Sequence, residues 1–120
     1  MNKGRKITGG KYVKNRKKKP YEIAGQRRVV KLNADKRKKQ RTRGGKEKIV
    51  MLSAKTINIL TKDKKTKKAE IKNVLETPSN RFLARQNIIT KGTIVDTTLG
   101  KAKITNRPTQ EGVLNGILIE

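Results

Sequence analysis

Excess positive charge limits how compactly this chain can fold without a partner. Its 120 residues include 33 Lys and Arg against nine Asp and Glu, a formal net charge of +24 at pH 7. Repulsion among so many cations opposes compaction, and a polyanionic partner relieves it. The sequence therefore predicts a small domain of marginal stability that binds a polyanion. Nucleic acid is the abundant cellular candidate.

Several functional classes are excluded by what the sequence lacks. There is no Cys and no His, which removes disulfides, thiolate metal sites, thiol nucleophiles and the usual general base. Residues 4–11 approach a phosphate-binding loop, but Gly10 stands where that motif requires Lys. Because the few carboxylates are scattered among cations, we expect no enzymatic activity, no cofactor, no metal and no small-molecule substrate.

Membrane insertion is also excluded by the apolar pattern. The longest apolar run, residues 49–52, is too short to span a bilayer. Residues 1–28 lack the apolar stretch of a signal peptide. We therefore expect a cytoplasmic protein with no membrane partner.

Apolar residues divide the chain into two parts. Of the 28 Ile, Val, Leu and Phe residues, 25 lie within residues 29–120. Residues 1–28 contain 11 Lys and Arg and a single acid, Glu22, and such blocks of like charge stay extended until a partner neutralises them. The sequence predicts a basic N-terminal arm over residues 1–28 and a domain over residues 29–120. Tyr12 and Tyr21 in the arm either stack on bases or riboses, or pack back onto the domain.

Ile, Val and Thr dominate from residue 29 onward, in short runs punctuated by Gly, Asn and Asp, a texture typical of β-structure. Gly44 and Gly45 predict a two-residue hairpin turn with positive φ, and Gly116 predicts a bulge or a close contact. Ser79 or Asn80 caps one short helix. Predicted strands cover residues 29–32, 36–43, 46–54, 57–61, 69–76, 88–89, 93–95, 101–105 and 113–119, the helix covers 81–86, and loops cover 62–68, 96–100 and 107–112. The predicted fold is mainly β, a small antiparallel barrel or sandwich with one short helix and an extended basic N-terminal arm.

Basic residues concentrate in four clusters, at residues 16–19, 36–48 and 62–68 and at the pair Arg81 and Arg85. A single such run is usually a solvated face, but four clusters with so few acids favour nucleic acid binding. RNA is preferred over DNA because no predicted helix is long enough to fill a major groove, and extended Gly-containing segments suit irregular RNA. The candidate RNA contacts are Lys3, Arg5, Lys6, Gly9, Gly10, Lys11, Lys14, Arg16, Lys17, Lys18, Lys19, Tyr21, Arg27, Arg28, Lys38, Arg41, Arg43, Gly44, Gly45, Lys46, Lys48, Arg81, Arg85, Lys91 and Arg107.

Five segments together resemble a known family. They are Thr8-Gly9-Gly10-Lys11 with the following basic run and Pro20-Tyr21-Glu22, then Arg41-Thr42-Arg43-Gly44-Gly45, then Pro78-Ser79-Asn80 with residues 84–92, then residues 100–108, and finally residues 112–120. This pattern is similar to the small-subunit ribosomal proteins numbered eight in the eukaryotic series, in their short archaeal form. The resemblance implies a β-rich domain seated on small-subunit ribosomal RNA, with the basic arm threaded between RNA helices.

That resemblance makes a structural protein of the small ribosomal subunit the leading hypothesis. Its expected partners are small-subunit ribosomal RNA and neighbouring small-subunit proteins, and its expected location is the ribosome in the cytoplasm. Two alternatives stay open. One is a non-permanent RNA chaperone or ribosome-biogenesis factor, which would wash off the subunit at high salt. The other is a DNA-compacting chromatin protein, which would prefer duplex DNA over folded ribosomal RNA at equal salt.

Overall fold

The computed structural model describes residues 4–12 and 15–119, and in this part of the chain nine strands and two short helices follow one another. The strands are β1 (Val30–Leu32), β2 (Lys36–Arg41), β3 (Glu47–Ala54), β4 (Thr56–Leu60), β5 (Thr66–Glu76), β6 (Ile88–Ile89), β7 (Ile94–Thr97), β8 (Gly100–Ile104) and β9 (Asn115–Leu118). The helices are α1 (Arg81–Arg85) and α2 (Pro108–Glu111). The predicted mainly β fold is confirmed.

Five strands close into a barrel in the order β4-β5-β7-β8-β9. Neighbouring strands run antiparallel except β4 and β9, whose parallel pairing sets Leu60 opposite Ile117 and closes the ring. Successive side chains of a strand point to opposite faces, so Ile57 and Ile59 of β4 are buried inside while Leu60 is exposed. The apolar residues at alternate positions of β4, Ile57 and Ile59, therefore help to fill the barrel.

The other four strands form a sheet in the order β2-β3-β1-β6. β3 lies inside this sheet, and its neighbouring residues Val50 and Met51 are both buried although they point to opposite faces. β2 is an edge strand whose residues are exposed, apart from the half-buried Gln40. Lysine-rich edges of this kind discourage pairing with a further strand. Sheet and barrel share one core, since Val30 and Met51 belong to the same buried cluster as Ile57.

Asp35, in the turn between β1 and β2, fastens the sheet to the start of the barrel. Its carboxylate accepts hydrogen bonds from the backbone nitrogen of Lys55 at 2.6 Å and from the backbone nitrogen and Oγ1 of Thr56 at 3.2 and 2.6 Å. Partial burial raises the pKa of Asp35, but these hydrogen bonds and the charge of Arg37 lower it, so the pKa lies below its ordinary 3.8. The charged carboxylate therefore stabilises the junction.

We expect Asp35→Ala to lower the free energy of unfolding by about 1–2 kcal/mol at neutral pH, since the lost hydrogen bonds involve a charged but solvent-accessible group. Because the folded-state pKa is depressed, this stabilisation is present above the unfolded value and is lost as the pH falls through the folded value. Urea denaturation at neutral pH and at about pH 3 measures the difference. Asp63→Ala, which removes a charge from the β4–β5 turn, is the control. An Asp35 effect of equal size at both pH values would contradict a role for the carboxylate charge.

The glycine turn between β2 and β3 has the predicted backbone conformation but not the predicted length. Gly44 and Gly45 have φ of 77° and 75°. However, the backbone nitrogen of Thr42 donates to the carbonyl oxygen of Lys46 at 2.7 Å, and the Thr42 hydroxyl donates to the same oxygen at 2.8 Å. These bonds enclose three residues, Arg43–Gly45, so the two-residue prediction is wrong.

Three predicted loops are shorter than expected because local hydrogen bonds close them early. Thr66 already pairs with Leu60, so β5 begins inside the predicted 62–68 loop. Thr97 continues β7, and its hydroxyl donates to Gly100 O at 2.6 Å across a tight turn. The predicted 107–112 loop contains α2.

The helix predicted over residues 81–86 is confirmed as α1. Its cap is Asn80 rather than Ser79, since the Asn80 Oδ1 accepts from Phe82 N at 3.0 Å.

The double variant Gly44→Val, Gly45→Val should lower the free energy of unfolding by about 2–4 kcal/mol, because each valine must occupy a left-handed conformation costing roughly 1–2 kcal/mol. No atom lies within 4 Å of a Cβ built at either position, so the cost is conformational rather than steric. RNA binding should weaken as well, because the basic side chains that flank the turn would point in different directions. Gly44→Asn, Gly45→Asn, which tolerates positive φ, should lose much less in thermal unfolding. Equal losses in the two double variants would contradict the assigned backbone conformation.

Candidate nucleic-acid interface

A groove of about 1010 Å³ brings together segments that lie far apart in the sequence. One wall is the chain leading into β1, another is β2, and the far side is formed by α2 and the loop after β6. Its lining residues are Gly25, Gln26, Arg27, Arg28, Val29, Val30, Lys38, Gln40, Leu52, Ser79, Leu83, Ile88, Ile89, Thr90, Lys91, Arg107, Pro108, Thr109 and Gln110. We call this the basic groove.

Five of the predicted RNA contacts meet in the basic groove. Arg27, Arg28, Lys38, Lys91 and Arg107 all line it and all are exposed. Among the described residues that line it, none is acidic. The groove therefore presents a concentrated positive potential, because concave walls of one charge reinforce each other's field.

Local sequence explains why α2 stands at the edge of the groove. Pro108 occupies the first helical turn, where a missing N–H costs nothing, and Gly112 ends the helix in the left-handed conformation with φ of 68°. A Cβ at Gly112 would lie 2.7 Å from Ile49 Cγ2, so glycine also lets α2 approach β3. The Lys48 amine donates to the Gln110 side-chain oxygen across that contact. Lys48, predicted as an RNA contact, thus also ties α2 to the sheet.

The chain before β1 is held against β2 by a side-chain contact. Arg28 Nη1 donates to Gln40 Oε1, which explains why Gln40 is half-buried in an otherwise exposed strand. Gln40 is paired with Lys48 in the antiparallel register, and the Lys48 amine donates to Gln110. The end of the basic arm therefore forms one wall of the groove.

The hairpin tip forms a second basic surface. Arg41, Arg43, Gly44, Gly45 and Lys46 were predicted contacts, and all five are exposed at the end of β2 and the turn that follows it. Within the hairpin Lys39 pairs with Glu47 at 3.4 Å. The tip carries its remaining cations on a rigid turn.

The predicted contacts Arg5, Lys6, Gly9, Gly10 and Lys11 form a small turn of their own. Arg5 and Lys11 form an isolated antiparallel bridge, and Lys6 N donates to Gly10 O at 2.8 Å. Gly9 has φ of 82°, a value that favours glycine. The cations of this segment therefore lie on a compact exposed turn rather than a random segment. Lys3 and Lys14 lie outside the described residues.

Residues 15–22 present the predicted contacts Arg16, Lys17, Lys18, Lys19 and Tyr21, all exposed. Arg16 pairs with Glu22 at 2.5 Å, and Lys19 N donates to the same carboxylate at 3.0 Å. The Arg16 guanidinium, followed by the Lys19 backbone N–H, holds the pKa of Glu22 below its ordinary range. The single acid of the arm thus closes a short 3-10 turn, Pro20–Glu22.

The two tyrosines are exposed, Tyr12 by 67% and Tyr21 by 78%. The alternative that they pack back onto the domain is therefore wrong for the described chain. The Lys6 amine lies 5.8 Å from the centre of the Tyr12 ring. Stacking on RNA stays a prediction for both rings.

The remaining predicted contacts lie on α1. The Arg81 guanidinium lies 5.5 Å from the centre of the Phe82 ring. Arg85 lines a separate depression of about 320 Å³ with Asn73, Leu75 and Asn87. The structure therefore does not bring this pair into the basic groove, although Ser79 and Leu83 beside them do line it.

Reasoning from sequence missed the uncharged part of the groove. Leu52, Leu83 and Val29 contribute apolar surface, and Gln40 and Gln110 contribute amides. A search for clusters of cations cannot find such residues, because each belongs to a different element. The one available signal was Gln40, the only uncharged residue within β2.

The described residues, 4–12 and 15–119, contain no group of three or more Asp and Glu side chains that could hold a metal ion. They also contain no helix that is long and apolar enough to cross a membrane.

The sequence matches known proteins along nearly its whole length. The family model described as ribosomal protein S8e matches residues 1–119. The small ribosomal subunit protein eS8 of Sulfolobus acidocaldarius is 44% identical over 98% of this chain and 94% of its own length. The proteins of the same name from Methanosarcina barkeri and Staphylothermus marinus are 42% and 47% identical, each over 97% of this chain and over 94% and 92% of their own lengths.

Proposed function

Since the chain belongs to the ribosomal protein S8e family, we propose that it is a structural constituent of the small ribosomal subunit that binds and stabilises small-subunit ribosomal RNA. The relatives carry the names of ribosomal components, which supports a permanent subunit over a transient chaperone or a chromatin protein. The same names agree with the prediction that the chain is not an enzyme. Its place of action is the ribosome, beside neighbouring small-subunit proteins.

The net charge of +24 is the observation that carries this proposal. Nine acids can neutralise at most nine of the 33 cations, so most of the basic side chains need phosphates as counter-charges. Each Lys or Arg that contacts a phosphate releases condensed counterions, which supplies most of the affinity. RNA folding forces phosphates together, and a cationic protein lowers the energy of that arrangement.

The division into an arm over residues 1–28 and a domain over residues 29–120 belongs to the same proposal. The described arm residues are exposed and supply no member of the buried core cluster. The domain provides a rigid frame, on which the basic groove and the hairpin tip hold their cations in place. The arm orders against RNA when the two meet, since its own apolar contacts are too few to fold it alone.

A salt titration tests the proposal. The logarithm of the affinity for small-subunit ribosomal RNA should fall linearly with the logarithm of the salt concentration, by roughly 0.9 for each phosphate neutralised on a duplex and roughly 0.7 on a single strand. Filter binding or fluorescence anisotropy at several salt concentrations measures the slope. Duplex DNA at the same salt is the comparison. An affinity that stays constant over this range, or a preference for the DNA, would contradict RNA binding through phosphate neutralisation.

A further inference from the structure

The basic groove combines apolar surface and cations within one concave surface. Val29 is 44% exposed, and Leu52 and Leu83 are half-buried, so all three present hydrocarbon to the groove. A phosphate gains nothing from such surface, whereas the apolar face of a nucleobase is stabilised by burial against it. A ligand that carries both an anionic group and an apolar ring face fits this combination of side chains.

From this combination we propose that the basic groove binds unpaired nucleotides of RNA, with the bases on its apolar floor and the phosphates on its cationic rim; this rests on the proposed function. The rim is supplied by Arg27, Arg28, Lys38, Lys91 and Arg107. The planar guanidinium groups among them also offer faces on which a base can stack.

The size of the groove agrees with a short segment of single strand. Its volume of about 1010 Å³ reaches the upper end of the roughly 300–1,000 Å³ range of ligand pockets, which leaves room for more than one nucleotide. A-form duplex keeps its bases stacked and its major groove closed to side chains. A duplex could therefore touch the rim of this groove but could not place a base on Leu52.

The amide side chains of Gln40 in β2 and Gln110 in α2 can hydrogen-bond to the edge of a base. The side-chain oxygen of Gln40 accepts from Arg28 and that of Gln110 accepts from Lys48. Each amide then keeps its NH₂ group as the donor that it can offer to a ligand. Base edges with carbonyl or ring-nitrogen acceptors match these donors.

The arm leads directly into the groove. Residues 25–30 form its wall, and the exposed cations of residues 15–19 precede them in the chain. The exposed cations of residues 15–19 are therefore close in sequence to the wall of the groove. RNA uses both surfaces when a duplex lies along the arm and an unpaired bulge enters the groove.

Two RNA hairpins of the same stem sequence test the proposal, one with a two-nucleotide bulge that includes 2-aminopurine and one fully paired. The full-length protein should bind the bulged hairpin about five- to tenfold more tightly, because the paired hairpin has no base face to bury against the apolar floor. Fluorescence anisotropy of an end label measures both affinities. The 2-aminopurine signal should also change on binding, because the base enters a new environment.

Three variants assign that preference to the groove. Lys91→Gln, Arg107→Gln removes two rim cations and should weaken the bulged hairpin more than the paired one, which lowers the ratio of the two affinities. Val29→Ser removes apolar surface but no charge, and should reduce the preference while leaving the salt slope unchanged. Lys65→Gln, Lys67→Gln is the matched control, since it removes two cations from the β4–β5 hairpin; it should weaken both hairpins equally. Thermal unfolding of each variant confirms that it is folded.

The outcomes separate this proposal from the one on which it rests. Equal affinities of the unmodified protein for the two hairpins, each falling with salt, would overturn the nucleotide site and leave RNA binding intact. A preference that survives both groove variants would overturn it as well. Affinity for neither hairpin at any salt would contradict the proposed function itself.

Discussion

Removal of residues 1–28 is expected to leave a folded protein that has lost most of its affinity for small-subunit ribosomal RNA. This segment carries 11 of the 33 cations. With a slope of about −0.9 per phosphate, each lost contact costs about a factor of eight at 0.1 M salt, so three lost contacts lower the affinity about 500-fold. The salt slope should become shallower by the same number of contacts.

The unfolding midpoint of the truncated protein should shift only modestly. The described arm residues are exposed and none belongs to the buried core cluster, while their removal also relieves repulsion among cations. A second truncation, of residues 1–24, keeps the groove wall and separates the contribution of the arm from that of Arg27 and Arg28. A truncated protein that folds only with an osmolyte, yet then binds RNA like the full chain, would show that the arm belongs to the core.

Replacement of Gly116 should lower the stability of the folded protein more than removal of the arm does. A Cβ at this position in β9 would lie 2.9 Å from Ile57 Cδ1 and 3.0 Å from the backbone oxygen of Lys103. One neighbour fills the barrel and the other belongs to β8, so neither yields without disturbing the closed ring. We expect Gly116→Ala to cost about 1–3 kcal/mol and to lower the melting temperature by about 5–15 °C.

A double-mutant cycle shows whether the cost is steric. Ile57→Val removes the Cδ1 atom and alone should cost about 0.5–1.5 kcal/mol. In the Gly116→Ala background it relieves the side-chain clash. The double variant should therefore lose less stability than the sum of the losses of the two single variants. Gly25→Ala, where no atom lies within 4 Å of the added Cβ, is the control with little expected effect. Strictly additive costs would contradict the close contact.

The features that could be predicted from the sequence depend on contacts between residues that are close together in the chain. Asn80 caps α1 and Gly44 adopts positive φ because each conformation depends on a few neighbouring atoms. Gly116 was predicted as a bulge or a close contact, and the sequence alone left that choice open. The two-residue turn prediction failed because the Thr42–Lys46 hydrogen bonds competed with the tighter closure that Gly-Gly alone indicates.

The candidate site could be predicted in its chemistry but not in its geometry. Counting cations identified Arg27, Arg28, Lys38, Lys91 and Arg107 among fifteen other candidate Lys and Arg residues, without indicating that these five share one groove. They come from four segments separated by many residues, and no local pattern links them. Leu52 and Gln110 were missed for the same reason, since neither is unusual within its own element.

The sequence by itself predicted a polyanionic partner and determined the mainly β character of this protein. Charge balance and the two-residue alternation of apolar side chains are properties of composition and local order, and no fold can change them. Tertiary structure alone decided the parallel pairing of β4 with β9, the anchoring of the sheet by Asp35, and the convergence of cations, amides and apolar side chains in one groove. Each of these depends on contacts between residues far apart in the chain, which form only when the core has packed.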